Sequence, residues 1–346
     1  MTTETQTELE ALRPHLAAVP DLVVERLRGA RRILAVAHEH PDADTLGATL
    51  AVTCIGEVLG ASVSPVCADT PPPLYGVLPG VEHLRAHPDP NVDYDLLVVS
   101  DCGTLERTGA VLVQHRDLLM RLPRITIDHH ISNDASGDAD WIDPAAAATC
   151  EMVALLAVKL GIPLDAGNGF LSRNLTAGLI TDTATFAHPN TTPRTLLVAA
   201  ALLAVGAPIS ALSTRFYRTK PVSQLRLFGR VLGKLQVAAG GRVIWSTITD
   251  EDLMVTGARP SESEGIIDVL AQADTADVAI LFKEISGAVR ISVRTKPGGV
   301  DATLLTALFG GGGHARAAGA SVQLPLDAAV VAVIAEAERL ASLISR

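Results

Sequence analysis

Aromatic side chains are scarce in this chain of 346 residues: two Trp, three Tyr and six Phe. Basic side chains are also outnumbered, 28 Lys and Arg against 38 Asp and Glu, for a formal net charge of −10. A protein that tracks long single strands needs a basic groove and rings for bases to stack on, so both shortages argue against long nucleic acid as a partner. The four cysteines (Cys54, Cys67, Cys102, Cys150) lie far apart with no Cys-x-x-Cys pair. That spacing suits buried thiols in a reducing cytoplasm better than disulfides or thiolate zinc. Long apolar runs are missing too. The longest, Leu196–Val205, is too short to cross a bilayer. Near Glu4, Glu8 and Glu10 there is no basic segment of the kind that opens a secretory signal. A cytoplasmic protein with no membrane partner is expected.

What the chain has in quantity is core, with 48% hydrophobic residues and length enough for two domains. Strand-like runs at Arg32–Ala37, Ser62–Cys67, Asp95–Asp101 and Arg124–Asp128 alternate with helical stretches such as Leu46–Leu59 and Thr104–Leu119. This alternation predicts an α/β fold with a doubly wound, mainly parallel sheet. Residues 1–30 read as a peripheral helical segment, and Thr149 to Val237 as mostly helix. A helical run over Val222–Val237 followed by Ala-Ala-Gly-Gly suggests a hinge. New strands follow at Arg242–Thr249, Val278–Ile285, Ala288–Thr295 and Ala320–Leu324, before a helix over Leu326–Ile344. The expected division is a first domain over 1–219, a helical linker over 220–240 and a smaller α/β domain over 241–346.

Chemistry concentrates where strands end. Ile33 to Ala37 is a buried strand by pattern, and Pro41 forces the chain out of the sheet, so His38, Asp42 and Asp44 fall in the loop beyond it. Ligands of open α/β sheets bind at such carboxyl ends. Leu96–Ser100 is a second apolar run, ending in Asp101; a third, Arg124–Ile127, ends in Asp128-His129-His130. Gly178-Leu-Ile-Thr-Asp182 places another acid after a helical run. Any one of these acids could be a helix cap, Asp44 or Asp101 for example. Three successive strand ends and a fourth segment are harder to explain that way. Pooled, His38, Asp42, Asp44, Asp101, His129 and Asp182 offer hard oxygen and imidazole ligands for a two-cation centre of the kind that acidifies water for attack on phosphorus. That ligand mix favours manganese, with magnesium or cobalt as alternatives, over a thiolate-type zinc site.

These residues resemble the motifs of the DHH phosphoesterase superfamily: His38-x-x-Pro-Asp42-x-Asp44, Asp101, Asp128-His129-His130 and Thr181-Asp182-Thr. Gly310-Gly-Gly-Gly-His314-Ala-Arg316-Ala-Ala-Gly319 resembles the signature of the associated DHHA1 domain. The likeness runs from about residue 25 to 325 and is nearest to the bacterial nano-RNase and pAp phosphatase (NrnA-like) subgroup. The resemblance implies one cation on His38, Asp42 and Asp101, and a second on Asp44, Asp101, His129 and Asp182, with Asp101 bridging. Asp128 is implied to orient an imidazole, and His130 to face the scissile phosphate. Asn133 also matches the pattern and is placed with the substrate-binding residues. His40 and Ala48 depart from the pattern without removing a ligand.

In the second domain, Arg290, Ser292, Arg294 and Lys296 alternate with Val289, Ile291 and Val293, predicting a strand with one apolar and one cationic face. The glycine run, with His314 and Arg316 behind it, reads as a loop whose backbone approaches an anion. Arg294, His314 and Arg316, with Gly311, Gly312 and Gly313 shaping the pocket, are the expected substrate contacts.

The resemblance implies hydrolysis of short oligoribonucleotides and linear dinucleotides such as pApA to 5′-mononucleotides, and of pAp to AMP; it is also compatible with a homodimer. Competing readings are a cyclic-dinucleotide phosphodiesterase, an inorganic pyrophosphatase or polyphosphatase, a RecJ-like exonuclease and a non-catalytic nucleotide sensor. The glycine-rich loop argues against a pyrophosphatase, the length and few aromatics against a RecJ-like enzyme, and the full ligand set against a sensor.

Overall fold

The structure is a computed structural model that describes residues 3–285 and 287–343. It divides into two units, 1–219 and 220–346. In the first, helices α1 (Thr3–Leu12) and α2 (Asp21–Gly29) lead into β1 (Arg32–Val36), α3 (Ala43–Val58), β2 (Ser62–Val66), β3 (Leu96–Ser100), α4 (Ala110–Arg121), β4 (Arg124–Asp128) and β5 (Ala139–Ile142). Helices α5 (Thr149–Leu160), α6 (Ala166–Asp182), α7 (Pro193–Ala204) and α8 (Ile209–Ser213) complete it. The five strands form one parallel sheet in the order β2-β1-β3-β4-β5. Both faces are covered, because alternate residues feed different cores. Ile33, Ala35 and Val98 join a core with α3, α5, α6 and α7, while Leu34, Val36, Leu97 and Val99 pack with Val111, Leu112 and Leu119 of α4. Burial on both sides explains why these strands read as continuous apolar runs.

The second unit comprises α9 (Val222–Leu232), β6 (Gln236–Ala238), β7 (Val243–Ile248), α10 (Asp250–Thr256), α11 (Ile266–Leu270), β8 (Val278–Ile285), β9 (Ala288–Thr295), α12 (Ala302–Ala307), β10 (Gly312–His314), β11 (Ala317–Val322) and α13 (Leu326–Ser342). Its sheet is mixed, in the order β10-β11-β9-β8-β7-β6. One face carries Val278, Ile280, Phe282, Ile291 and Val293 against α12 and α13. The other sets Ile244, Ala279 and Leu281 against Leu227, Phe228 and Val231 of α9 and Ile266 and Leu270 of α11.

Four features differ from the sequence reading. The short strand β5, with its half-polar Ala-Asp-Trp-Ile, carries no run long enough to signal itself. The helix expected over Val222–Val237 stops at Leu232, capped at Gly233, and the chain turns into edge strand β6. Residues 220–240 group with the second unit, with Leu227, Phe228 and Val231 buried in its core, where a helical linker was expected. The last strand begins at Ala317, three residues early, because it forms a hairpin with β10. Ile344, the expected end of the final helix, lies outside the described residues.

One buried acid ties α10 to α9. Asp252 accepts from Arg230 Nε at 2.7 Å, from Lys234 and from the Thr249 backbone N–H at 2.9 Å. Burial raises its carboxyl, but the Lys234, Thr249 and Arg230 hydrogen bonds outweigh that and lower it from 3.8 to about 2. Because the folded value is depressed, the stability it adds is present above about pH 4 and lost as pH falls through about 2. With the two cations partly solvated, Asp252→Asn should cost the second unit about 1–2 kcal/mol at neutral pH. The difference from wild type should fade between about pH 4 and pH 2, as read by denaturant unfolding at a series of pH values.

Candidate metal centre

Three strand ends and one helix end of the first unit converge. Beyond β1, Asp42 caps α3: its Oδ1 accepts the N–H groups of Asp44 (2.9 Å) and Thr45 (3.1 Å). The cap is thus Asp42, one of the proposed ligands, and its other oxygen lies 3.9 Å from His38 Nε2. His38 gives Nδ1 to the Glu39 carbonyl at 2.6 Å, which leaves Nε2 turned inward, 3.5 Å from Asp101 Oδ2. His129 is fixed the same way, Nδ1 on the Ala146 carbonyl at 3.3 Å. Its Nε2 lies 3.3 Å from Asp182 Oδ2, 3.5 Å from Asp101 Oδ1 and 4.0 Å from Asp44 Oδ2. A carbonyl behind each ring sets its tautomer and aims the other nitrogen.

Asp101 stands at the middle, facing His38 with one oxygen and His129 with the other. Its backbone is left-handed (φ 59°), an unusual conformation for a residue with a side chain. The Asp101 N–H bonds to the Ile127 carbonyl at 2.8 Å, so the turn is held by the neighbouring strand.

Asp44 is fully buried, and the first turn of α5 holds both of its oxygens. Thr149 N donates to Oδ2 at 2.6 Å and Cys150 N to Oδ1 at 2.9 Å. Free N–H groups and the positive end of the helix favour an anion there. The Thr149 hydroxyl also donates to Asp101 Oδ1 at 2.9 Å, so one residue spans two of the carboxylates. The loop before α5 is braced by Arg194, paired with buried Glu151 and, at 2.8 Å, with Asp143. Gly178 of α6 completes the arrangement, since a Cβ there would lie 2.3 Å from Asp44 Oδ1 and 2.5 Å from Cys150 Sγ. Thr149, Cys150 and Gly178 were not foreseen from the sequence. Thr and Cys opening a helix read as ordinary, and a glycine inside a helix gave the only signal.

The remaining motif residues form a branch of their own. Asp128 Oδ1 accepts from His130 Nδ1 at 2.7 Å and Oδ2 from Asn133 Nδ2 at 2.7 Å; Asn133 also donates to the Cys102 carbonyl. Asn133 therefore positions Asp128, and its amide is committed within the protein. Asp128 steadies His130, while a carbonyl steadies His129. The Asp128 hydrogen bond is the largest influence on His130 and raises its pKa above 6.5 despite burial.

The charges do not balance on their own. Burial first, then the neighbouring carboxylates, pushes Asp44 and Asp182 well above the ordinary range. Asp101 goes the other way: burial raises it, but the hydrogen bond from His38 and the charges of the three histidines outweigh that and hold it below. Among the described residues no Lys or Arg lies within ion-pair distance of Asp44, Asp101 or Asp182. In an octahedral site with bonds of ~2.1 Å, adjacent ligand atoms sit roughly 3 Å apart. The sets His38, Asp42, Asp101 and Asp44, His129, Asp182 each bring their ligand atoms within 4.8 Å of one another. Donor type, spacing and uncompensated charge all fit divalent cations.

The second unit treats its expected residues differently. Arg294 Nε pairs with Asp268 of α11 at 2.9 Å. The polar face of β9 is thus partly covered, though Arg290 is exposed. Arg316 NH1 bonds the carbonyls of Lys296 (2.7 Å), Gly299 (3.2 Å) and Val300 (3.1 Å), pinning the loop after β9. The glycine run is half of a hairpin and not an open loop. Gly310 and Gly311 give their N–H groups to the Ala307 and Thr306 carbonyls of α12. A Cβ on Gly311 or Gly313 would strike the β11 backbone at 2.2 and 2.6 Å, so close strand approach explains these two glycines. Gly312 has open space around it, and His314 is exposed on the edge strand.

Two family models match: the DHH family, N-terminal domain, over residues 32–181, and the DHHA1 domain over residues 241–342. The bifunctional oligoribonuclease and PAP phosphatase NrnA of Thermus thermophilus is 31% identical over 315 residues, 90% of this chain and 91% of that protein. Its namesake in Bacillus subtilis is 27% identical over 82% of this chain and 87% of its own length. Among solved structures, an exopolyphosphatase-related protein from Bacteroides fragilis superposes with a TM-score of 0.81, covering 93% of this chain and 96% of that one at 21% identity, a likeness of fold.

The hold of α5 on Asp44 and Asp101 can be measured without turnover. Thr149→Val keeps the shape and removes the hydroxyl, and should weaken manganese binding by about 10-fold or more, read by titration with paramagnetic resonance. Gly178→Ala drives a methyl into Asp44 and should weaken it at least as much, with the thermal midpoint and circular dichroism as checks on folding. Wild-type affinity in both variants would contradict the assignment.

Proposed function

This chain belongs to the DHH family, and from that premise we propose that it is a two-metal phosphoesterase that hydrolyses short oligoribonucleotides and linear dinucleotides such as pApA to 5′-mononucleotides, and pAp to AMP. The observation that carries this reading is the convergence of His38, Asp42 and Asp101 on one side and Asp44, His129 and Asp182 on the other, with Asp101 facing both. In the proposal these six residues hold two divalent cations, manganese first among them, and Asp101 bridges. Such cations supply Lewis acidity and lower the pKa of water enough for it to serve as a nucleophile at neutral pH.

The protein's own groups do the rest. Carbonyls behind His38 and His129 hold the proton of each ring at Nδ1 and leave Nε2 to face a cation. His130, with Nδ1 committed to Asp128 and a raised pKa, presents Nε2 to the phosphoryl group. There it donates a hydrogen bond to developing negative charge or a proton to the leaving oxygen. Asn133 keeps Asp128 in line. In the second unit, exposed His314, Gly312 and the free edges of Arg294 and Arg316 are assigned to substrate binding. The net charge of −10 and few aromatics support short substrates over long strands. The oligoribonuclease and PAP phosphatase named NrnA in Thermus thermophilus, with its similarity over nine-tenths of the chain, supports the same class.

A panel of pApA, pAp, a cyclic dinucleotide, a long oligomer and pyrophosphate with excess manganese, resolved by chromatography, tests the reading. AMP from pApA and phosphate from pAp are expected, with pApA faster than the long oligomer. Faster phosphate release from pyrophosphate would overturn it in favour of a pyrophosphatase. Asp101→Asn should lower kcat about 10³-fold with the thermal midpoint preserved.

A further inference from the structure

One cation at the centre has no role so far. Arg107 lies in the short 3₁₀ turn Leu105–Thr108, beyond Asp101 in the loop that follows β3. Its base is rigid. The Arg107 carbonyl accepts from Glu39 N at 2.7 Å, its N–H reaches the Thr104 carbonyl at 3.1 Å, and the buried Thr108 hydroxyl bonds to the Leu105 carbonyl at 2.7 Å. The side chain is exposed, and NH2 sits 3.5 Å from His38 Nδ1. That nitrogen already donates to the Glu39 carbonyl, so it cannot also accept from the guanidinium, and the contact satisfies none of Arg107's donors.

No carboxylate among the described residues lies within ion-pair distance of Arg107. Glu39, on the facing loop, turns its carboxylate to Gly109, where a Cβ would lie 2.4 Å from Oε2. The guanidinium thus lies beside the His38 ring, on its Nδ1 side, with its fork of donors unspent among the described residues. A permanent planar cation with paired N–H groups matches phosphoryl oxygens.

We propose that Arg107 is a substrate-binding residue that takes non-bridging oxygens of the scissile phosphoryl group, and afterwards the same phosphate in the mononucleotide product. The inference rests on the phosphoesterase reading of the centre. It adds a phosphate contact supplied by the first unit itself, independent of the cations' ligands.

The test uses full-length manganese-loaded protein with AMP and inorganic phosphate as probes, binding read by calorimetry and turnover read separately with pApA. Arg107→Ala should weaken AMP binding and raise KM by about 10-fold or more, with manganese affinity within about two-fold of wild type. Arg107→Lys should recover part of the loss, as a point charge replaces a fork. Arg116→Ala, which removes the same charge from the exposed face of α4, should change neither. Unchanged AMP binding in Arg107→Ala would overturn the proposal. So would a matching fall in manganese affinity, which would make the arginine a counter-charge for the carboxylates, or equal losses in Arg116→Ala. Wild type that binds AMP through Arg107 but hydrolyses nothing in the panel would sink the functional reading and leave this contact standing.

Discussion

Like charges buried side by side repel, and the first unit is arranged around that difficulty. Asp44 and Asp101 are out of reach of water, and Asp182 is half-buried beside them. Carboxylates that close would protonate or swing apart if their side chains were free to do so. They are not free. Both oxygens of Asp44 are held by the opening turn of α5, Asp101 is pinned through Thr149 and the β4 backbone, and Asp42 is spent in part on capping α3. The helix end offers partial positive charge to one acid. Among the described residues only imidazoles, and no lysine or arginine, come within ion-pair distance of Asp44, Asp101 and Asp182, and it is the residual anionic field that divalent cations would neutralise.

Holding acids this way has structural costs, which appear as backbone conformations and close contacts around the same loops. Left-handed backbone at His40, Asp101 and the run Ala184–Phe186 falls just beside proposed ligands: the loop after β1, the end of β3 and the turn after Asp182. Such conformations persist where the surroundings leave no alternative, and they gather at sites that must fix a geometry. Gly178 is the complementary case. Helices α3, α5 and α6 meet at Asp44 so closely that no side chain fits. Strain and close approach are therefore two aspects of one demand, that side chains from distant parts of the chain occupy set positions before any ligand arrives.

The acids and imidazoles were legible in the sequence because a parallel sheet buried on both faces writes its strands as unbroken apolar runs, and the residue after each run is at the ligand-binding edge. Ile33–Ala37 before His38, Leu96–Ser100 before Asp101 and Arg124–Ile127 before Asp128 all had this form. What sits behind the proposed ligands was not legible. Thr149 and Cys150 act through backbone N–H groups, which any residue carries, and Gly178 acts by having no side chain. Asn133 and Arg316 match family motifs, yet the bonds they make run to Asp128 and to loop carbonyls, partners that only the folded chain brings near. Strands β5 and β10 escaped notice because a half-polar tetrapeptide and a run of glycines carry no periodicity to read.

The glycine run shows how one composition serves two different ends. As a loop, Gly310–Gly313 would aim N–H groups at an anion; as a hairpin, it lets two backbones approach while α12 takes the N–H groups of Gly310 and Gly311. The hairpin accounts for Gly311 and Gly313 by contact, and for Gly310 by its left-handed backbone (φ 72°), but not for Gly312, around which there is open space. A glycine with room for a side chain, on an exposed edge strand beside exposed His314, is poorly explained by packing. Keeping that edge bare suits a flat ligand laid against the backbone, since any Cβ at Gly312 would lift it away. The physical case for substrate at this edge therefore rests on the one glycine of the run that the hairpin does not need.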